Sequence, residues 1–298
     1  MFLACSIWGF SAFYYSYISQ VPPLEVLSHR TIWTSLFIGL ILLARRGLVV
    51  IPKESFLRVC FAAIFISINW FFFIYAVQIG KVAQSSLGYY IFPLVAVAFG
   101  AIFLGERLSP SQWFAISLAV IAVVLLSFGV GEFPYISIML AVTFGLYGLV
   151  KKPLTIGPMR SVFWEVVCLL PIALIWLTGT HFFGWQGIVG RDGGFFGSEI
   201  KVSIALIFTG FLTGVPLILM AFAMERLRLA TVGLVQYVNP TLQFLLATFI
   251  FLEPIGRVHL IAFSLIWTGL GIYSYYAIRH ERALINLVSS SSIVFTIE

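Results

Sequence analysis

Apolar runs of about 20 residues recur along this chain, each parted from the next by a few polar, proline or glycine residues. That is the length a helix rising about 1.5 Å per residue needs to cross roughly 30 Å of hydrocarbon. The runs lie at residues 2–19, 24–44, 56–79, 82–104, 111–128, 133–150, 161–178, 200–224, 230–252 and 258–278. They are too long for buried strands and lack the two-residue alternation of an outer-membrane barrel, which leaves helices as the spanning structure that satisfies its own backbone in lipid. Composition agrees: 61% of the residues are hydrophobic and 9% charged, against roughly a quarter charged in a soluble domain. The expected fold is all-α integral membrane, with ten transmembrane helices and the lipid bilayer as surrounding partner.

The charge of +6 belongs mostly to loops, so it reads as orientation rather than as nucleic-acid binding. With the N-terminus inside, Arg45, Arg46, Lys53, Arg58, Arg107, Lys151, Lys152, Arg160, Arg226, Arg228, Arg279 and Arg282 face the cytoplasm. Only Lys81, Arg191, Lys201 and Arg257 face outward, and Arg30 falls within a span. The excess of basic residues on short inner loops is a positive-inside signal, placing both termini in the cytoplasm of a multi-pass inner-membrane protein. The first run lacks a basic leader and a small-residue cleavage site, so it reads as a retained helix, with the true start of the chain left open. Cys5, Cys60 and Cys168 sit in different runs without paired spacing and read as apolar filler.

Sliding the sequence by 147 residues sets Pro93 on Pro240, and with it Ala76 on Ala223, Lys81 on Arg228, Ala83 on Ala230, Leu87 on Leu234, Tyr90 on Tyr237 and Glu106 on Glu253. The ungapped agreement of a base, a Tyr-x-x-Pro and a glutamate points to a repeat. Five helices is an odd number, so the second copy enters from the opposite side. This predicts inverted repeats at 1–128 and 133–280, followed by a mobile cytoplasmic tail at 281–298. Inverted repeats are the architecture of many secondary transporters, because the two copies can exchange shapes and expose a central site to either side.

Few polar residues lie inside the runs. Pro93 and Pro240 each free a carbonyl one turn back, either as a packing kink or as polar backbone lining a water-filled space. Gln236, Asn239 and Gln243 need interior partners. Glu25 and His29 stand one turn apart and are spaced to pair. Arg30 either lines a path or snorkels to the interface. Glu165 is an intramembrane carboxylate that could be a neutral acid, a proton-coupling group or the counter-ion of Arg30. Asn69 and Trp70 precede three phenylalanines suited to stacking. Gly210 and Gly214, spaced as small-xxx-small, read as helix packing. Residues 179–199, rich in glycine and aromatics, read as a flexible external loop. The sequence holds no metal cluster, catalytic triad or nucleotide motif, so neither cofactor nor enzyme activity is expected. His29, His181, His259 and His280 lie scattered, which weighs against an integral-membrane enzyme. A non-transporting accessory or sensor protein shares all of these features.

The blocks Asn69-Trp70, Ser86-Leu87-Gly88-Tyr89-Tyr90-Ile91-Phe92-Pro93, Gly105-Glu106-Arg107 and Gly233-Leu234-Val235-Gln236-Tyr237-Val238-Asn239-Pro240, with Glu25, His29, Arg30, Trp33 and Glu165, resemble RarD-type proteins. These are EamA-domain members of the drug/metabolite transporter superfamily. The resemblance covers about residues 1–280 and departs at Phe92, where the family pattern has asparagine. It implies a ten-helix permease of a bacterial inner membrane, moving a small metabolite or drug-like solute by alternating access, with proton coupling and homodimer formation both left open. Solute contacts are expected from Arg30, Asn69, Trp70, Tyr90, Tyr237, Asn239 and Gln243, and coupling or ion pairing from Glu25, His29 and Glu165.

Overall fold

The computed structural model describes residues 1–47, 50–105, 107–129, 131–224 and 235–294. Glu106 and the 225–234 part of the repeat lie outside them. The described residues form helices and no strand: α1 (Phe2–Tyr17), α2 (Pro23–Ala44), α3 (Lys53–Gln78), α4 (Val82–Leu104), α5 (Pro110–Gly129), α6 (Tyr135–Lys151), α7 (Pro158–Phe183), α8 (Ile200–Met224), α9 (Val238–Leu245) and α10 (Arg257–Val294). A single π turn, Leu246–Ile250, continues α9. Seven of these helices are long and apolar enough to cross a membrane, and Tyr135–Lys151 and Val238–Ile250 are shorter apolar helices.

Local chemistry sets the helix ends. Pro23, Pro110 and Pro158 occupy first turns, where the missing N–H would have had no partner. α4 and α7 stop at Gly105 (φ 66°) and Gly184 (φ 65°), a left-handed conformation that glycine adopts without strain. Two helix C-termini lie five or more residues beyond the sequence reading. α7 runs five residues past Thr178, because Trp185 folds back over Gly179 and the stop signal is Gly184. α10 continues through the expected tail to Val294, since no glycine or proline follows Gly271.

Among the described residues a small buried cluster of Ile38, Leu42 and Val162 and two large ones form the core. One joins α1, α2, α3, α6 and α8 around Tyr15, Trp70, Phe73, Ile74, Leu140 and Leu206. The other joins α4, α5 and α10 around Tyr90, Leu94, Ala119, Phe263 and Ile266. The outer faces stay apolar, with Leu40, Val120, Ile175 and Ile204 all exposed, as a lipid-facing surface requires. Small residues allow close helix approach: a methyl group at Gly210 would meet the backbone of Trp33, and one at Gly214 would meet the Phe37 ring. The α2–α8 contact is therefore the packing role that the spacing suggests.

Overpacking a closed contact of this kind costs about 1–3 kcal/mol. Gly210→Leu should lower the melting temperature in detergent, while Gly271→Leu, whose site has nothing within 4 Å, should leave it unchanged.

Candidate functional site

A cavity of about 370 Å³ lies among the helices, within the size range of small-molecule sites. Arg30, Ile66, Trp70, Phe73, Tyr89, Phe92, Phe144 and Tyr147 line it, with Trp8 and Ser11 from α1 and Gln236, Asn239, Pro240 and Gln243 on and just before α9. It extends to Lys151, Leu154, Ile156 and Met159 at the α6–α7 connection.

Arg30 is 5% exposed, with its guanidinium carbon 4.2 Å from the ring centre of Trp70 and 5.7 Å from that of Tyr15. Its Nε has no hydrogen-bond partner. Among the described residues no carboxylate pairs with it: the two ion pairs are Lys81–Glu132 and Lys151–Glu165. Two aromatic faces thus hold a buried cation without neutralising it.

Glu165 is not the counter-ion of Arg30. Its carboxylate pairs with Lys151 at 2.8 Å and accepts hydrogen bonds from Ser161 Oγ at 2.6 Å and Tyr147 OH at 3.0 Å. Lys151 also donates to Tyr147 OH at 2.8 Å. Spacing along one chain could not show this, since Lys151 ends α6 and reaches back to the second turn of α7 across a six-residue connection.

Glu25 does not pair with His29. It accepts backbone N–H bonds from Gly194 and Phe195, both at 2.8 Å, while both ring nitrogens of His29 lack partners and the ring stacks on Phe196 at 4.7 Å. The 184–199 segment is thereby tied down rather than loose. Arg191 donates to Ser19 O and Gln78 Oε1, and Gln78 donates to Val21 O. At the same end Glu253 accepts from Val82 N at 2.6 Å and Ala83 N at 2.9 Å, capping α4 from across the bundle. The end of the bundle opposite Lys151 is therefore laced by two carboxylates on backbone N–H donors and by Arg191 on a backbone carbonyl and an amide oxygen.

The remaining expected residues divide between wall and support. Trp70, Asn239 and Gln243 line the cavity. Gln243 donates to Asn239 Oδ1 at 2.9 Å and accepts from Ser85 Oγ at 2.8 Å. Asn69 stands behind the wall, donating to Leu140 O and Thr143 Oγ1 and accepting from Tyr89 OH at 3.0 Å. Tyr90 and Tyr237 stack on each other at 6.3 Å against the α10 cluster, and the lining tyrosine of α4 is Tyr89. The repeat drew attention to Tyr90 because it has a mate; Tyr89, without one, gave no such signal. Phe92, at the position matching Asn239, packs on Phe144 at 4.7 Å and makes that side of the cavity apolar.

Helices of spanning length, outward apolar faces and an internal cavity lined by aromatic rings, a guanidinium and a few amides define a multi-pass membrane protein. A family model described as the EamA-like transporter family matches residues 1–128. The uncharacterized transporter YojE of Bacillus subtilis is 35% identical over 93% of both chains. Protein RarD of Salmonella typhimurium is 36% identical over 93% of both. A protein of Pseudomonas aeruginosa named chloramphenicol-sensitive protein RarD is 26% identical over 90% of both. A solved crystal structure, 21% identical, shares the fold with a TM-score of 0.62 over 93% of this chain and 96% of its own. The chain belongs to the EamA-like transporter family, among its RarD-type members.

If Glu25 holds the 184–199 segment, Glu25→Ala should strand two buried amides, at about 1–3 kcal/mol for an unsatisfied group. A drop in melting temperature, with Glu25→Gln falling between it and the parent, is the expected thermal-unfolding result.

Proposed function

We propose that this protein is a secondary transporter that carries a small solute across a bacterial inner membrane by alternating access between two inverted five-helix repeats, residues 1–128 and 133–280. The observation that carries the reading is the polarity of the cavity: it reaches the Lys151 end of the bundle, while the opposite end is closed by Glu25, Arg191 and Glu253 on backbone and amide partners. On the positive-inside assignment the Lys151 end faces the cytoplasm, as do both termini. The arrangement is then an inward-facing state of a carrier, whose charged contacts on the outer side must part for the solute to cross.

The repeat assignment draws support from packing. Replacing each helix by the one five places along turns α4 on α6 into α9 on α1, α3 on α6 into α8 on α1, and α2 on α8 into α7 on α3, and all six contacts occur. α2 on α7 and α5 on α10 map onto themselves.

Arg30, Trp70, Asn239 and Gln243 hold the solute, with Asn69, Tyr90 and Tyr237 fixing the walls. Glu165 is the coupling residue of the proposal, because its pair with Lys151 holds a cation at the cavity mouth and any loss of that pair frees it. The buried pair loses far more when one partner goes than an exposed pair does.

Reconstituted in liposomes, the protein should give saturable, solute-dependent flux that responds to a pH gradient. Glu165→Gln should reduce it at least about tenfold and flatten its pH dependence, as expected when a buried pair is broken. Unchanged flux and pH response in that variant would remove Glu165 from coupling. Flux that rises linearly without saturation would mean a channel rather than a carrier.

A further inference from the structure

The charges on the cavity wall do not balance. Among the described residues, Arg30 and Lys151 are its charged lining residues, and no aspartate or glutamate is in the lining. Glu165 neutralises Lys151 from behind the wall. What remains is one guanidinium, 5% exposed, with a free Nε donor, the faces of Trp70 and Tyr15 and the neutral Tyr15 phenol beside it, and no carboxylate among the described residues. Burying an unpaired cation is unfavourable, and aromatic faces recover only part of the lost hydration. A ligand anion is the partner that would restore it, and guanidinium geometry suits the two oxygens of a carboxylate.

Beside the cation much of the wall is aromatic. Trp70, Phe73, Tyr89, Phe92 and Phe144 are all lining residues, and Phe92 and Phe144 pack together at 4.7 Å. Rings of this kind accept a planar hydrocarbon body by offset or edge-on stacking. An ammonium group on the same ligand would fare badly. It would enter beside Arg30, with no acidic side chain among the described lining residues to receive it, and the nearest ring faces already serve the guanidinium.

Resting on the transport reading above, we propose that the solute class is the small organic monoanion: one carboxylate on a planar, apolar body, without an amino group. The carboxylate binds Arg30, and the ring lies against Trp70, Phe73 and Phe92. Amino acids of the same size and shape are disfavoured by charge alone.

The test uses three probes that share one skeleton: 3-phenylpropionate, its neutral amide 3-phenylpropanamide, and phenylalanine, which adds only the α-ammonium. Calorimetric titration of the full-length protein in detergent should show the carboxylate binding at least about tenfold tighter than either of the others, a difference of 1.4 kcal/mol. Arg30→Gln should bring the carboxylate down to the affinity of the amide, and Arg30→Lys should retain part of the preference. Equal or tighter binding of phenylalanine or of the amide overturns the proposal, as does absence of carboxylate binding. Continued amide binding by Arg30→Gln shows that the variant is folded; if it binds nothing, Arg30→Lys decides, and loss of all carboxylate preference there with amide binding intact counts against the assignment. Flux of the same probes into liposomes separates the two readings. Carboxylate binding without flux keeps the ligand class and removes transport, whereas flux of phenylalanine or the amide without the carboxylate keeps transport and removes the ligand class.

Discussion

Lipid offers no hydrogen bonds, and the rest of this structure follows from that. A polar group placed among these helices must find its partner in the protein or do without. Most of them do find one. Ser28, Thr31, Ser35, Thr209 and Thr213 return their hydroxyls to carbonyls three or four residues back in their own helices. Asn69, Gln243 and Glu165 are satisfied across helices. Among the described residues Arg30 is a buried charge without a carboxylate partner, and its setting is what turns a packed bundle into a candidate binding site.

The same constraint explains why the two ends of the bundle differ. At the Glu25 end, connections between helices leave backbone N–H groups with no helical partner, and carboxylates from distant parts of the chain take them up: Glu25 serves the 184–199 segment and Glu253 the start of α4. Each such contact joins elements far apart in sequence. Each can also be exchanged for water, as the proposed opening of that end requires. The Lys151 end carries the cavity mouth and the Lys151–Glu165 ion pair.

How much was legible beforehand depended on whether the signal was local. Helix positions came from hydropathy, because spanning length is a property of consecutive residues. Arg30, Trp70, Asn239 and Gln243 could be picked out as costly or stackable side chains in apolar runs, and they meet at one cavity. Partners could not be read in the same way. The Glu25–His29 spacing suggested a pair one turn apart, yet Glu25 is drawn to backbone donors 169 and 170 residues away. Lys151 looked like an orientation charge on a loop and closes on Glu165 instead. The glycine-rich stretch after α7 looked loose because composition does not reveal that Arg191, Glu25 and Trp185 hold it in place.

The central claim is that one site is exposed to each side in turn. Pairs of spin labels at Ile79 and Leu252, across the laced end, and at Thr155 and Phe222, across the cavity mouth, would report it directly as distance distributions with and without transported solute. Alternating access predicts opposite changes, with the Ile79–Leu252 distance lengthening as the Thr155–Phe222 distance shortens. Distances that stay fixed at both ends while solute crosses, or that widen together, would contradict it.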